Sequence, residues 1–221
     1  MWTFVKKGVI FDLDGTLTNS LASIKISADT AIGKFGFGPY SEEDYKVFVG
    51  DGAQVLIERC LKAGGDEKLE YFDRAYREYK EVFEKYCMYQ VEPYEGIREL
   101  LAALKEKGIK IAVLSNKPHP RTEDVIHTLF GEGYFDAVLG QCEEIQRKPS
   151  PEGVFHILKK WNLKPEDILY LGDTGTDMKT GKSAGAFTIG ALWGFRKAEE
   201  LLENKADALI KNPKQLLDYL D

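Results

Sequence analysis

Four aspartates in two short motifs have the residue types and the spacing to hold a divalent cation. Asp12 and Asp14 directly follow an apolar run of the chain. Asp173 and Asp177 follow a second apolar run. Two carboxylates about 4 Å apart repel by roughly 4 kcal/mol at an effective dielectric constant of 20, so convergence of the two motifs would require a cation. Neither motif contains His or Cys, and hard oxygen ligands favour Mg²⁺.

A hydroxyl group and an ammonium group lie between these motifs in the chain and could hold a phosphoryl group. Ser115 and Asn116 end a third apolar run, and Lys148 precedes Pro149 ahead of a predicted helix. Taken singly, a serine at a strand end is most often a turn residue, and a lysine before proline is most often solvated. Their order relative to the acidic motifs indicates a phosphate site. Lys117 is either a secondary contact of that site or a solvated side chain.

The elements that must position these residues alternate between short apolar runs and helical patterns. The runs are hydrophobic throughout, so both faces of each strand should be buried, as in a parallel sheet covered by helices. We therefore predict an α/β fold with a doubly wound, Rossmann-like parallel sheet. The predicted strands are Gly8–Phe11, Ile109–Leu114, Phe135–Leu139, Ile168–Leu171, Phe187–Ile189 and Ala208–Ile210. The predicted helices are Ile97–Lys107, His119–Phe130, Pro151–Trp161, Asp177–Ala184 and Pro213–Leu220.

One interval is too long for this alternation and predicts a second domain. Asp12 and Ser115 are 103 residues apart, whereas a βαβ unit needs about 30 or more, which leaves a surplus of about seventy residues. The surplus has helical periodicity, so we predict a small all-helical cap domain over residues 18–90 and a catalytic core over 1–17 and 91–221. The predicted cap helices are Ser20–Lys34, Glu42–Phe48, Ala53–Lys62 and Glu67–Tyr86.

Composition and charge exclude several classes of protein. Thirty Lys and Arg against 36 Asp and Glu give a net charge of −6, so no overall field attracts nucleic acid or anionic lipid. No apolar stretch approaches the roughly 18 residues of a membrane span, and Asp12 interrupts the N-terminal apolar run far short of a signal peptide. Three cysteines without a CxxC pair fit a reducing compartment, so a cytoplasmic location is expected.

The ordered motifs resemble those of a known superfamily. Asp12-Leu13-Asp14-Gly15-Thr16, Ser115, Lys148-Pro149 and the segment from Gly172-Asp173 to Asp177 are similar to the four motifs of the haloacid dehalogenase superfamily of phosphotransferases. The resemblance covers nearly the whole chain. A helical cap inserted after the first motif resembles the subgroup that includes phosphoglycolate phosphatase, and the second and fourth motifs look most like that branch.

The resemblance implies a role for each motif residue. Asp12 would be the nucleophile that forms an aspartyl-phosphate. Asp14 would be the general acid for the leaving oxygen and then the base for water, with its backbone carbonyl on the metal. Asp12 and Asp173 would bind Mg²⁺, assisted by Asp177. The phosphoryl oxygens would contact Ser115, Asn116 and Lys148.

Two loops lie outside the four motifs. Gly50, Asp51 and Gly52 resemble the cap loop that sets substrate specificity in this subgroup, although two glycines around an aspartate also form an ordinary turn and helix cap. Trp193–Arg196 follows the fifth predicted strand, and we expect it to be a core or partner contact instead of a catalytic segment.

The implied activity is hydrolysis of a small phosphorylated metabolite by a monomer or weak homodimer. A β-phosphoglucomutase-like phosphomutase and a pyrophosphatase of the same fold are alternatives. Phosphonatase chemistry would need a cap lysine to form a Schiff base, for which Lys25, Lys34 and Lys46 are candidates by location. A non-catalytic regulatory or scaffold module is an alternative from another class.

Overall fold

The strands that carry the motifs belong to one parallel sheet. The computed structural model describes residues 5–221. The strands of this part are β1 (Gly8–Phe11), β2 (Thr18–Asn19), β3 (Glu92–Pro93), β4 (Lys110–Pro118), β5 (Ala137–Gln141), β6 (Ile168–Gly172), β7 (Phe187–Ala191) and β8 (Ala208–Ile210). Six of them form a sheet in the order β5-β4-β1-β6-β7-β8, with every neighbouring pair parallel. The predicted α/β parallel-sheet fold is therefore confirmed.

Some helices lie beside this sheet, and the helices between Asn19 and Glu92 form a separate segment. The α-helices are α1 (Leu21–Gly33), α2 (Glu42–Phe48), α3 (Ala53–Ala63), α4 (Phe72–Tyr86), α5 (Ile97–Glu106), α6 (His119–Phe130), α7 (Glu152–Trp161), α8 (Gly175–Ala184) and α9 (Ala198–Glu203). Within residues 5–221, none of the helices has the length and low polarity needed to cross a membrane.

The chain divides into two compact units. One comprises the described residues up to Thr18 together with Pro93–Asp221, and the other is Asn19–Glu92. The first four residues of the core predicted over 1–17 and 91–221 lie outside the described part. That the helical unit acts as a cap domain stays a prediction.

The sheet is buried because its strands are apolar on both faces. All four residues of β1 are buried between β4 and β6. On one face, Ile10, Leu114 and Tyr170 pack against Val154 and Trp161 of α7 in a single apolar cluster. This packing holds the strands in place, and so it also positions the residues that follow their carboxyl ends.

Several elements differ from the predictions: β2, β3 and α9 were not predicted, and three others differ in extent or type. Strand β4 runs to Pro118, so Ser115 to Lys117 lie on the strand instead of after it. The segment Pro213–Tyr219 is a 3₁₀ helix and not an α-helix. Helix α4 begins at Phe72 and not at Glu67, because Asp66 accepts the N–H groups of Glu70 and Tyr71 and Leu69 adopts a positive φ of 57°.

The helical unit is held by its own polar network as well as by apolar packing. Helix α1 packs chiefly against α4. Asp29 on α1 pairs with Lys25 at 2.6 Å and accepts hydrogen bonds from the Tyr45 hydroxyl at 2.7 Å and the Tyr40 N–H at 3.2 Å. These contacts fix the connection between α1 and α2.

Candidate active site

Three buried carboxylates converge at the carboxyl ends of β1 and β6. The two strands are paired so that Phe11 lies beside Leu171, which brings the residues that follow them to the same sheet edge. Asp12, Asp173 and Asp177 are buried, and each offers an oxygen within 4.8 Å of the others. Residues that are about 160 positions apart therefore form one acidic cluster.

Lys148 lies within this cluster. Its Nζ is 2.6 Å from Oδ1 of Asp12 and 2.7 Å from Oδ1 of Asp177. The Asn116 side chain accepts the Lys148 N–H at 2.9 Å and donates to the Lys148 carbonyl at 3.1 Å. Asn116 therefore positions the backbone of Lys148, while its direct contact with phosphate stays a prediction.

Burial and like charge determine the pKa values of the cluster. Burial, followed by the charge of Asp177, raises the pKa of Asp12 well above its usual value, against the effect of Lys148. Burial and Asp177 also raise the pKa of Asp173 to about 7. Burial alone would lower the pKa of Lys148, but Asp12 and Asp177 raise it well above its usual value. The ammonium of Lys148 thus pairs with two of the three buried carboxylates, Asp12 and Asp177.

This donor set fits a Mg²⁺ ion. The cluster consists of carboxylate oxygens without His or Cys, and its residues are withdrawn from solvent. With all three acids ionised, the single positive charge of Lys148 cannot balance three negative charges, and unbalanced charge is costly in a buried site. Asp12 and Asp173, with Asp177 behind them, would therefore hold the cation.

Both carboxylate oxygens of Asp177 accept hydrogen bonds from protein groups. Its Oδ2 accepts from both the hydroxyl and the N–H of Thr174, at 2.6 and 3.1 Å, and so caps α8. Its Oδ1 accepts from Lys148 and from the Tyr170 hydroxyl at 3.3 Å. These contacts favour a supporting role, in which Asp177 fixes Lys148 and the start of the helix.

Asp14 lies beside a different lysine. Nζ of Lys117 is 3.0 Å from Oδ1 and 3.3 Å from Oδ2 of Asp14. Lys117 is buried on β4, so the alternative of a solvated side chain is wrong. Ser115, on the same strand and also buried, accepts the Lys117 N–H at 3.1 Å. The side chain of Asp14 pairs with Lys117 and is not one of the three carboxylates that lie within 4.8 Å of one another.

The segment after β7 contacts the acidic cluster, a contact that the sequence did not predict. The Phe195 N–H donates to Oδ2 of Asp173 at 2.7 Å, and the Thr16 hydroxyl donates to Oδ1 at 2.9 Å. The Trp193 indole N–H donates to the Thr16 carbonyl at 3.0 Å. The position of this segment could have been inferred from a parallel sheet. Strands β6 and β7 are parallel neighbours, so the residues that follow them lie at the same edge.

The predicted specificity loop lies between α2 and α3 of the helical unit. Gly50 and Gly52 have positive φ values of 119° and 88°. Asp51 pairs with Arg59 at 2.6 Å, and Arg59 also donates to the Phe48 carbonyl at 2.9 Å. Arg59, which sequence reasoning missed, therefore fixes the conformation of this loop. The role of the loop Gly50, Asp51 and Gly52 in substrate specificity stays a prediction.

Comparison with known proteins agrees with this arrangement. A family model described as haloacid dehalogenase-like hydrolase matches residues 9–191. The phosphoglycolate phosphatase of Aquifex aeolicus (strain VF5) is 33% identical over 217 residues, which cover 96% of each chain. That of Vibrio vulnificus (strain YJ016) is 30% identical over 218 residues, covering 97% of this chain and 96% of the relative.

A solved structure extends the similarity to three dimensions. The crystal structure of a predicted phosphoglycolate phosphatase from Haemophilus somnus 129pt superposes with a TM-score of 0.90 at 26% identity, and the alignment covers 99% of both chains. The matched family residues include both acidic motifs. The chain therefore belongs to the haloacid dehalogenase-like hydrolase family, and it is a phosphatase of that family.

Proposed function

We propose that this phosphatase hydrolyses a small organic phosphomonoester, with Mg²⁺ as cofactor and an aspartyl-phosphate on Asp12 as intermediate. The proposal depends on one observation. Asp12 lies in a buried cluster with Asp173, Asp177 and Lys148 at one edge of the sheet. The names of the relatives make 2-phosphoglycolate the first substrate to test.

Asp12 is the nucleophile of the first step. One of its carboxylate oxygens accepts from Lys148, and a carboxylate oxygen of Asp12 attacks phosphorus in line with the leaving alcohol. A P–O bond to Asp12 forms as the P–O bond to the alcohol breaks, and Asp14 gives its proton to the leaving oxygen. Splitting one displacement into two lowers the difficulty of each.

Water completes the cycle in the second step. Asp14, now a carboxylate, takes a proton from the water that attacks phosphorus, and the bond between phosphorus and Asp12 breaks. Inorganic phosphate leaves, and both aspartates return to their starting states. A single residue serves as acid and then as base because the leaving alcohol and the incoming water occupy the same side of phosphorus.

Donors around Asp12 stabilise the charge on the transferring group. Ser115 supplies a hydroxyl and Lys148 an ammonium, both from buried positions that exclude competing water. Mg²⁺, when bound by Asp12 and Asp173, would neutralise negative charge on the phosphoryl oxygens. In this proposal, the loop of Gly50, Asp51 and Gly52 selects the organic part of the ester.

Phosphate release from a panel of small phosphomonoesters, with 2-phosphoglycolate included, tests the proposal. We expect release with Mg²⁺ and a loss of about 100-fold or more after EDTA treatment, because the cation contributes several kcal/mol to catalysis. Full activity in EDTA would contradict the role of the metal. Conversion of a sugar phosphate to its isomer without net phosphate release would support a phosphomutase, and inactivity on every ester would favour the scaffold alternative.

The role of Asp14 predicts a dependence on the leaving group. We expect Asp14→Asn to lower kcat/KM for 2-phosphoglycolate by about 10²–10⁴-fold, because the alkoxide needs a proton as it leaves. The loss of activity on p-nitrophenyl phosphate should be smaller, since nitrophenolate leaves readily without one. The matched control is Asp218→Asn, at an exposed aspartate of the C-terminal 3₁₀ helix. Equal losses on both substrates would contradict general acid catalysis by Asp14.

A further inference from the structure

The segment Trp193–Arg196, here named the strap, contacts both loops that carry the acidic motifs. At one end, the indole N–H of Trp193 donates to the carbonyl of Thr16, in the loop that follows β1. The N–H of Phe195 donates to the carboxylate of Asp173, in the loop that follows β6. One short segment therefore ties the two acidic motifs together.

Both oxygens of Asp173 are held by groups that the strap positions. Oδ2 accepts from Phe195 at 2.7 Å, and Oδ1 accepts from the Thr16 hydroxyl at 2.9 Å. Trp193 in turn holds the backbone of Thr16 at 3.0 Å. The carboxylate of Asp173 is fully buried and is thus fixed in orientation from two sides.

The close approach of the strap requires a glycine. A Cβ on Gly194 would overlap the side chain of Asp173 and the carbonyl oxygen of Gly15. The backbone of the strap is therefore in direct contact with the acidic loops. Any side chain at this position must displace Asp173 or the strap itself.

The other end of the strap is anchored to the helix that carries Asp177. Nε of Arg196 is 3.0 Å from Oε2 of Glu200 on α9. Oε1 of the same glutamate accepts the N–H of Gly175, the first residue of α8, at 2.9 Å. The strap is thus braced between the two acidic loops and the start of α8.

We propose that the strap is a positioning element of the metal site, which fixes the Asp173 carboxylate before the cation binds and so sets the affinity for Mg²⁺. The inference rests on the proposed function only in taking Mg²⁺ as the cation. Groups that orient a metal ligand typically change metal affinity by about 10–100-fold when they are removed. Fixing the carboxylate in advance lowers the entropy that binding must remove.

Two substitutions test the strap through different contacts. Trp193→Phe removes the indole N–H and keeps an aromatic ring, and Gly194→Ala inserts a Cβ against Asp173. The matched control for the first is Trp161→Phe, because the buried indole N–H of Trp161 has no hydrogen-bond acceptor among residues 5–221. The control for the second is Gly33→Ala in α1, where a Cβ meets open space.

The measurement is the melting temperature of each metal-free protein as Mg²⁺ is added, which gives a Kd for Mg²⁺ without use of activity. We expect Kd to rise about 10-fold or more in Trp193→Phe and Gly194→Ala, and to stay within about twofold in the controls. Trp193→Phe alone decides the matter if Gly194→Ala does not fold.

Two results would overturn the proposal in different ways. A wild-type Kd in folded Trp193→Phe, or an equal rise in Trp161→Phe, would show that the strap does not position Asp173 for the metal. Failure of the wild-type protein to respond to Mg²⁺ would instead reject Mg²⁺ as the cofactor, and with it the proposed function. Comparison with the wild type therefore separates the two failures.

Discussion

Replacement of Asp12 with asparagine is expected to lower kcat for phosphomonoester hydrolysis by about 10⁵-fold or more, as when a covalent nucleophile is removed from other hydrolases. An amide oxygen cannot form and then release the acyl-phosphate bond. The fold should persist, because Lys148 keeps its 2.7 Å contact with Asp177 and the cluster loses one of three like charges.

Steady-state kinetics with 2-phosphoglycolate and p-nitrophenyl phosphate, together with thermal melting, measure this effect. Unlike Asp14→Asn, Asp12→Asn should reduce activity on both esters to the same extent, since both esters require attack by the same nucleophile whatever their leaving group. Asp218→Asn should behave as the wild type. Activity of Asp12→Asn within about tenfold of the wild type would contradict covalent catalysis by this residue.

Replacement of Lys148 with methionine is expected to damage both stability and activity. Its buried ammonium is the shared partner of Asp12 and Asp177. Removal of one partner of a buried ion pair costs about 3–5 kcal/mol of unfolding free energy, because the remaining charges lie buried and uncompensated. Loss of a donor to the transferring phosphoryl group should lower kcat by about 10²–10³-fold in addition.

Denaturant unfolding of Lys148→Met in EDTA and in saturating Mg²⁺ measures the loss of stability. The loss should be smaller with Mg²⁺, since the cation restores positive charge beside the carboxylates. The matched control is Lys7→Met, which removes an exposed lysine from its 2.8 Å pair with Asp167 and should cost no more than about 1 kcal/mol. Equal effects of the two substitutions would contradict the central position of Lys148.

The sheet could be predicted from the sequence because its strands carry their own signal. The apolar run ending at Phe11 and the run ending at Leu171 are both buried on two faces, which a parallel sheet requires. Asp12 directly follows the first run, and Asp173 follows the second after Gly172. The meeting of Asp12 and Asp173 was predicted only on the condition that the two strands are neighbours, and the order of the sheet meets that condition.

Contacts between distant polar side chains could not be predicted in the same way. Lys117 is buried because Asp14, 103 positions earlier, lies within 3.0 Å of its ammonium, and nothing in the residues around Lys117 distinguishes it from a surface lysine. The bond from Trp193 to Thr16 joins residues 177 positions apart. The burial of a polar group depends on its partner, which local periodicity does not reveal.

Helix ends posed a similar difficulty within the helical unit. The periodic pattern of the last helix in this unit extends upstream to Glu67. The side chain of Asp66 accepts hydrogen bonds from two N–H groups, and the helix begins only at Phe72. Local side-chain bonds of this kind compete with helical hydrogen bonding. Hydrophobic spacing therefore predicted the presence of this helix correctly, but it placed the start of the helix too early in the chain.

The most direct test of covalent catalysis is to identify the phosphorylated residue during turnover. Wild-type protein mixed with 2-phosphoglycolate and Mg²⁺ would be quenched in acid within the first turnover, digested and sequenced by mass spectrometry. We predict a single added phosphoryl group on the peptide that contains Asp12, which is lost on treatment with hydroxylamine and absent from Asp12→Asn. Full turnover with no phosphorylated peptide, or with the phosphoryl group on another residue, would contradict the account.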